Sequence, residues 1–280
     1  MSPKLKKPAS AQADKFDFYL ASVQCPEADV EFFEEVYRAH TGRELRVMRE
    51  DFCGTAALCA EWVRRHEDNQ AIGVDLCAET LSWGEKHVLS LLGDRRQNVV
   101  VHEENVLTLL DKKSQLTSAQ NFSYNIFKTL EELLEYFKAA YQNLEEDGLF
   151  VIDMMGGTDA MCEDSQDRKI TGAKKPDGTA IPPFTYTWEQ AAYNPITGDF
   201  LCHIHFTVKR GMKIQKAFTY DWRLWTLPEV RDLLVQAGFK GVDVYTEGWD
   251  EGTDDTDGVF EKREEFENEG TWIAYIVGKK

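Results

Sequence analysis

Between residues 45 and 155, short apolar runs alternate with amphipathic segments, and this alternation restricts the fold more than any other feature of the chain. Leu45-Arg46-Val47-Met48, Ala71-Ile72-Gly73-Val74, Val99-Val100-Val101-His102 and Leu149-Phe150-Val151-Ile152-Asp153 read as strands. Helical patterns separate them. One runs through 56–65, with Leu58/Trp62 and Cys59/Val63 as i,i+4 pairs, and a second covers 79–92. A third opens on a capping box, Thr129 with Glu132, and repeats apolar residues from Leu130 to Leu144 at helical spacing. Strands and helices in this order bury their apolar faces together only as a parallel sheet covered on both sides. The pattern resumes after residue 222, with a second capping box at Thr226 and Glu229, a stop at Gly238, and strands over 242–245 and 272–277. The expectation is an α/β fold with a seven-stranded, mainly parallel sheet. Its fourth strand, near 116–122, is unusually polar.

The stretch 156–222 breaks the alternation. It has no strong helix, two strand-like runs (200–208 and 214–220) and turn signals at Asn194-Pro195 and Thr197-Gly198. These predict an antiparallel β insertion after the fifth strand, forming a lid or acceptor region. The remaining divisions are a flexible tail over 1–15, an N-terminal helical cap over 16–44 broken at Cys25-Pro26, and a core of 45–155 with 223–280.

Charge and cysteine usage narrow the function. The net charge of −17 repels phosphate, which argues against a nucleic-acid partner. Residues 247–269 hold eleven acids against Lys262 and Arg263, and the run 250–269 reads as a solvated loop, with a docking site for a basic partner as the alternative. No apolar run is long enough for a membrane helix, and the first 15 residues lack a signal-like apolar segment. Six dispersed cysteines without a CxxC pair read as reduced thiols of a cytoplasmic protein, with no metal set.

The turn Arg49-Glu50-Asp51-Phe52-Cys53-Gly54-Thr55-Ala56 between strand and helix, with Asp75 ending the next strand, resembles the class I S-adenosylmethionine-dependent methyltransferases, a Rossmann-like family. The strand 149–153, the helix 227–239 and two closing strands resemble it as well, so the likeness covers 45–155 and 223–280. It implies S-adenosylmethionine across the carboxyl ends of the strands. Asp75 would hold the ribose and Asn105-Val106 the adenine. Tyr19, Arg49, Glu50, Gly54, Leu76, Asn121 and Phe122 complete the implied cofactor set. The family's first motif reads acid-x-Gly-x-Gly-x-Gly, whereas this chain has Glu50, Phe52, Gly54 and Ala56 in those places. A nicotinamide-dependent oxidoreductase shares the acid and the turn, but its three glycines seat a pyrophosphate, which Phe52 and Ala56 fit badly.

Asn121 and Tyr124, where the fourth strand should end, either orient the acceptor or simply form a turn around a core aromatic at Phe122. His203 and His205 share one face of a strand whose other face is apolar; neutral imidazole suits a base near pH 7, and packed histidines are the plainer alternative. The catalytic candidates are therefore His203, His205 and Tyr124. The insertion is rich in rings, among them Tyr186, Trp188, Tyr220 and Trp222, while its eight basic and eight acidic residues balance. A neutral aromatic lid suits a small-molecule acceptor. Protein methylation and a non-catalytic cofactor-binding module are the alternatives.

Overall fold

The computed structural model describes residues 14–208, 212–249 and 256–280. Nearly all of the expected tail, and 250–255 of the expected acidic loop, lie outside the described residues. Two helices come first, α1 (Lys15–Leu20) and α2 (Pro26–Thr41). Pro26 opens α2, where a missing N–H is harmless. There follow β1 (Val47–Asp51), α3 (Ala57–Arg65), β2 (Gln70–Asp75), α4 (Ala78–His87), β3 (Val99–Glu103), β4 (Ser114–Ala119), α5 (Leu130–Asn143) and β5 (Leu144–Gly156). Four strands come next: β6 (Asp164–Ile170), β7 (Phe184–Tyr193), β8 (Asp199–Val208) and β9 (Met212–Arg223). The chain closes with α6 (Leu227–Ala237), β10 (Gly241–Trp249), β11 (Thr256–Arg263) and β12 (Trp272–Lys279).

The main sheet has eight strands rather than the expected seven, in the order β11-β10-β12-β5-β4-β1-β2-β3. The additional strand is β11, which occupies part of the stretch expected to be a solvated loop. Its charged residues sit on an exposed edge, a common guard against edge-to-edge association. Among the described side chains of the strand, Phe260 turns inward, with its ring centroid 4.4 Å from Tyr275 and 5.8 Å from Phe32. One ring among so many acids is too faint a pattern to announce a strand. β1 to β5 pair in parallel, and β12 runs antiparallel between β5 and β10.

Side chains of β5 alternate between two cores. Leu149 and Val151 join the cluster under α2 and α3, while Phe150, Ile152 and Met154 join the cluster under α5 and α6. The polar β4 is clamped between β1 and β5 because its side chains are small. Ser114 and Thr117 are fully buried, and their hydroxyls bond each other at 2.8 Å. The second sheet has four antiparallel strands, β6-β7-β8-β9, two more than the two runs expected from sequence. β6 is almost wholly exposed, so no apolar alternation marks it. α1 packs on this sheet, with Phe18 centroids 4.7 Å from Phe184 and 5.4 Å from Phe206. Among the described residues, no helix is long and apolar enough to cross a membrane.

Candidate active site

The order of strands reverses between β1 and β4. From β1 the chain builds outward through β2 and β3, then returns to place β4 and β5 on the other side. Such a reversal opens a crevice at the carboxyl ends of the strands. The loop after β1 lies there. Phe52, Gly54 and Ala56 have φ of 57°, 52° and 57°. These are the three glycine positions of the motif that the sequence resembles, and all three keep the left-handed backbone although only one is glycine. For a non-glycine this conformation costs about 1–2 kcal/mol. Packing offsets it: the Phe52 ring lies 5.6 Å from Tyr136 and 6.1 Å from Phe127, and Ala56 is buried at the start of α3. A second glycine, not anticipated from sequence, holds this loop from outside. A Cβ on Gly84 of α4 would sit 2.4 Å from the Thr55 carbonyl oxygen, so only glycine lets α4 lie against the turn.

Asp75 closes β2 with its carboxylate fixed by two backbone donors. The Gly54 N–H donates to one oxygen at 2.8 Å and the Cys77 N–H to the other at 2.7 Å. Each oxygen thus keeps a lone pair, which is what two vicinal ribose hydroxyls require. Leu76 beside it is 67% exposed, an apolar surface at the mouth of the crevice. Asn105 accepts from the Leu107 N–H at 2.9 Å, which leaves its amide hydrogens and one lone pair for a ligand. Val106 is buried, and its carbonyl accepts from Arg49 at 3.0 Å. An adenosyl group fits this donor set.

Two residues of the implied cofactor set are engaged within the core. Arg49 is 1% exposed, pairs with Asp51 at 2.7 Å and donates to the Val106 carbonyl, which ties β1 to the loop after β3, while its other terminal nitrogen is buried without a hydrogen-bond partner. Tyr136 also donates to Asp51, at 3.0 Å. The Glu50 carboxyl is buried and accepts from the N–H of Cys59 at 3.2 Å and its thiol at 3.1 Å, which holds α3 against β1. Burial pushes its pKa up to about 8.

Past the reversal, at the ends of β4 and β5, lies a cavity of about 440 Å³. Asn121, Phe122 and Tyr19, all singled out from sequence, line it. The second sheet roofs it with Tyr186, Trp188, Ile204, Tyr220 and Trp222. Tyr220 and Trp222 stack at 4.3 Å. Asp153, which sequence reasoning passed over as a strand end, stands in its floor and accepts from the N–H groups of Asn121 at 2.7 Å and Phe122 at 2.8 Å. Both donors belong to residues in the left-handed region. Burial, opposed by these donors, pushes Asp153 up to about 7. Asp29, Glu247, Gln24, Gln120, Arg168 and Tyr275 also line the chamber and carried no usable signal, because they come from separate elements. The Tyr275 hydroxyl donates to Asp29, whose pKa burial raises to about 6.

The three residues expected to be catalytic are not brought to this chamber. Ile204 lines it, and the alternation of β8 turns His203 and His205 to the other face. His203 is buried against the Thr219 hydroxyl at 3.0 Å, and His205 bonds Glu189 at 2.9 Å. Burial lowers the pKa of His203. Tyr124 is fully buried in the core under α5, and burial raises its pKa well above the ordinary value.

No family model matches the chain, and no curated relative matches it by sequence. Solved structures do match. A S-adenosylmethionine-dependent methyltransferase from Clostridium acetobutylicum ATCC 824 superposes with a TM-score of 0.63 at 16% identity, covering 92% of this chain and 95% of its own. CalS10, an amino pentose methyltransferase from Micromonospora echinaspora, gives 0.65 at 12% identity, covering 96% and 99%. The sugar N-methyltransferase KedS8 from Streptoalloteichus sp ATCC 53650 gives 0.61 at 15% identity, covering 98% and 97%. The fold is that of the class I methyltransferases. The likeness extends through the second sheet, since each superposition covers over nine-tenths of both chains.

Proposed function

We propose that this protein is a S-adenosylmethionine-dependent methyltransferase acting on a small molecule. The observation that carries the reading is the juxtaposition of two sites on neighbouring strand ends: a crevice suited to a nucleoside at β1–β3 and a ring-lined chamber at β4–β5. The solved neighbours that methylate an amino pentose and a sugar nitrogen support it. Asp75 and Gly54 would hold the ribose, and Leu76, Asn105 and Val106 the adenine. Tyr19, Asn121 and Phe122, which line the chamber, would complete the cofactor site. The bound cofactor supplies a methyl group activated on a sulfonium. The chain's own contribution is to align the recipient with that methyl and exclude water, which is proximity and orientation. The rings of Tyr19, Tyr220 and Trp222 favour positive charge over their faces.

A cavity of about 440 Å³ matches a small molecule better than a protein segment. A module that only senses the cofactor has no need of it. The net charge of −17 disfavours nucleic acid, and six free cysteines favour a reducing, cytoplasmic setting. Calorimetry with S-adenosylmethionine, S-adenosylhomocysteine and NAD tests the cofactor. Labelled cofactor incubated with a metabolite extract should then yield labelled small molecules. Heat with NAD alone would replace this reading with an oxidoreductase, and cofactor binding without product would leave a binding module.

A further inference from the structure

The chamber's polar groups are mismatched in one direction. Among the described residues, three carboxylates line it, Asp29, Asp153 and Glu247, against one cation, Arg168. That guanidinium is already engaged: it donates to the Ser22 carbonyl and lies 5.2 Å over the Tyr186 ring. Gln120 lines the same wall and is 6% exposed. Its amide nitrogen donates to the Val151 carbonyl at 3.3 Å, which orients the group and leaves its oxygen buried with no hydrogen-bond partner. The side-chain oxygen of Gln24, across the chamber, is likewise buried and unpartnered. A buried acceptor without a donor costs about 1–3 kcal/mol, so the site is short of donors. Rings and carboxylates together favour an organic cation.

We propose that the methyl recipient is an amine, bound as its ammonium among these acceptors, and that Asp153 takes the proton that frees it to react. The inference rests on the methyltransferase reading and names the substrate class of the same site. A protonated amine has no lone pair and cannot attack. Transfer of one N–H proton to the Asp153 carboxylate leaves a neutral amine and a carboxylic acid. The freed nitrogen pair forms the new C–N bond as the pair of the breaking C–S bond leaves with sulfur. The positive charge thereby passes from sulfonium to the methylated ammonium, in a chamber that Asp29 and Glu247 also line. Asp153 returns its proton to water when the product leaves. Its two backbone donors hold the carboxylate in place, and its pKa near 7 lets it exchange a proton at neutral pH.

The test pairs amines with hydroxyl isosteres: benzylamine with benzyl alcohol, tryptamine with tryptophol, glucosamine with glucose. Calorimetry without cofactor measures binding, and labelled methyl transfer measures turnover. At least one amine should bind about tenfold or more tighter than its alcohol, the scale of hydrogen bonds to a charged group. Asp153→Asn should abolish that preference and lower kcat about a hundredfold or more, in a variant that still melts cooperatively and still binds S-adenosylhomocysteine. Gln120→Met, which removes the unpartnered oxygen, should weaken amine binding a few-fold. Alcohols binding as well as amines, no amine binding at millimolar concentration, or an Asp153→Asn enzyme of full activity would each overturn the inference. Loss of cofactor binding in the wild-type protein would instead overturn the functional reading, and an amine preference would survive it.

Discussion

The crevice at the ends of β1, β2 and β3 is made mostly of backbone held by local turns, whereas the chamber beside it is made of side chains from α1, α2, the turn after β4, β5, β10, β11, β12 and the second sheet. In the crevice, Asp75 is fixed by N–H groups of Gly54 and Cys77, and left-handed positions shape the loop even where the residue is Phe or Ala. In the chamber, little is local except the Asn121-Phe122 turn that holds Asp153. A site built from backbone keeps its shape through side-chain change, as the left-handed Phe52 and Ala56 show. A site assembled from distant side chains can be retuned by single substitutions. The charge of the chamber follows from this. The second sheet's segment is balanced in charge, but Asp29, Asp153 and Glu247 come from α2, β5 and β10, so the acidity is set by the core.

The largest expected effect touches both regions. Burial raises Glu50 to about 8 and Asp153 to about 7, so the native state holds protons that the unfolded chain releases. That stability is complete below the ordinary carboxylate range and is lost as pH rises through the raised values. For Glu50 the change is on the order of 3–5 kcal/mol between acid and alkaline conditions. The melting temperature of the unliganded protein should therefore fall from pH 6 to pH 9, and Glu50→Gln should flatten the fall. A melting temperature that stays level or rises over this range would contradict the raised values of both carboxyls.

Asp75→Ala should weaken S-adenosylhomocysteine binding by about 1–3 kcal/mol, roughly fivefold to a hundredfold, and leave amine binding in the chamber unchanged. If both affinities fell together, the two regions would not be separable. Gly84→Val sharpens the same point through packing. Its Cβ would sit 2.4 Å from the Thr55 carbonyl oxygen, so α4 must move, at a cost of about 1–3 kcal/mol in stability with some loss of cofactor affinity. Denaturant unfolding and calorimetry read the two effects separately. In the opposite direction, Ala56→Gly should relieve the left-handed backbone and stabilise the protein by about 0.5–1 kcal/mol. A loss of stability instead would show that the buried methyl outweighs the strain. The smallest effect belongs to His203→Gln and His205→Gln, which should leave turnover unchanged; a drop of about a hundredfold in either would return a histidine base to the chemistry.

The α/β class, the parallel sheet, both capping boxes and the α1–α2 break at Pro26 were legible in the chain because each is set by residues within a few positions of one another. Gly54 and Asp75 were legible for the same reason: the loop and the strand end that hold them are local. The eighth strand was not, because β11 hides one inward ring among charges. Neither was the placement of β4, whose buried hydroxyls become favourable only when Ser114 and Thr117 meet each other between two neighbouring strands. Sequence periodicity put His203 and His205 on one face of β8 but could not say which face looks into the chamber. Packing decided that, because the apolar face must cover Phe18 of α1 and the rings beneath it. Asp153 shows the same division: its place at the end of a strand is a property of the chain, and its raised pKa and its place among Asp29, Gln120 and the roof of rings exist only once distant elements exclude water around it.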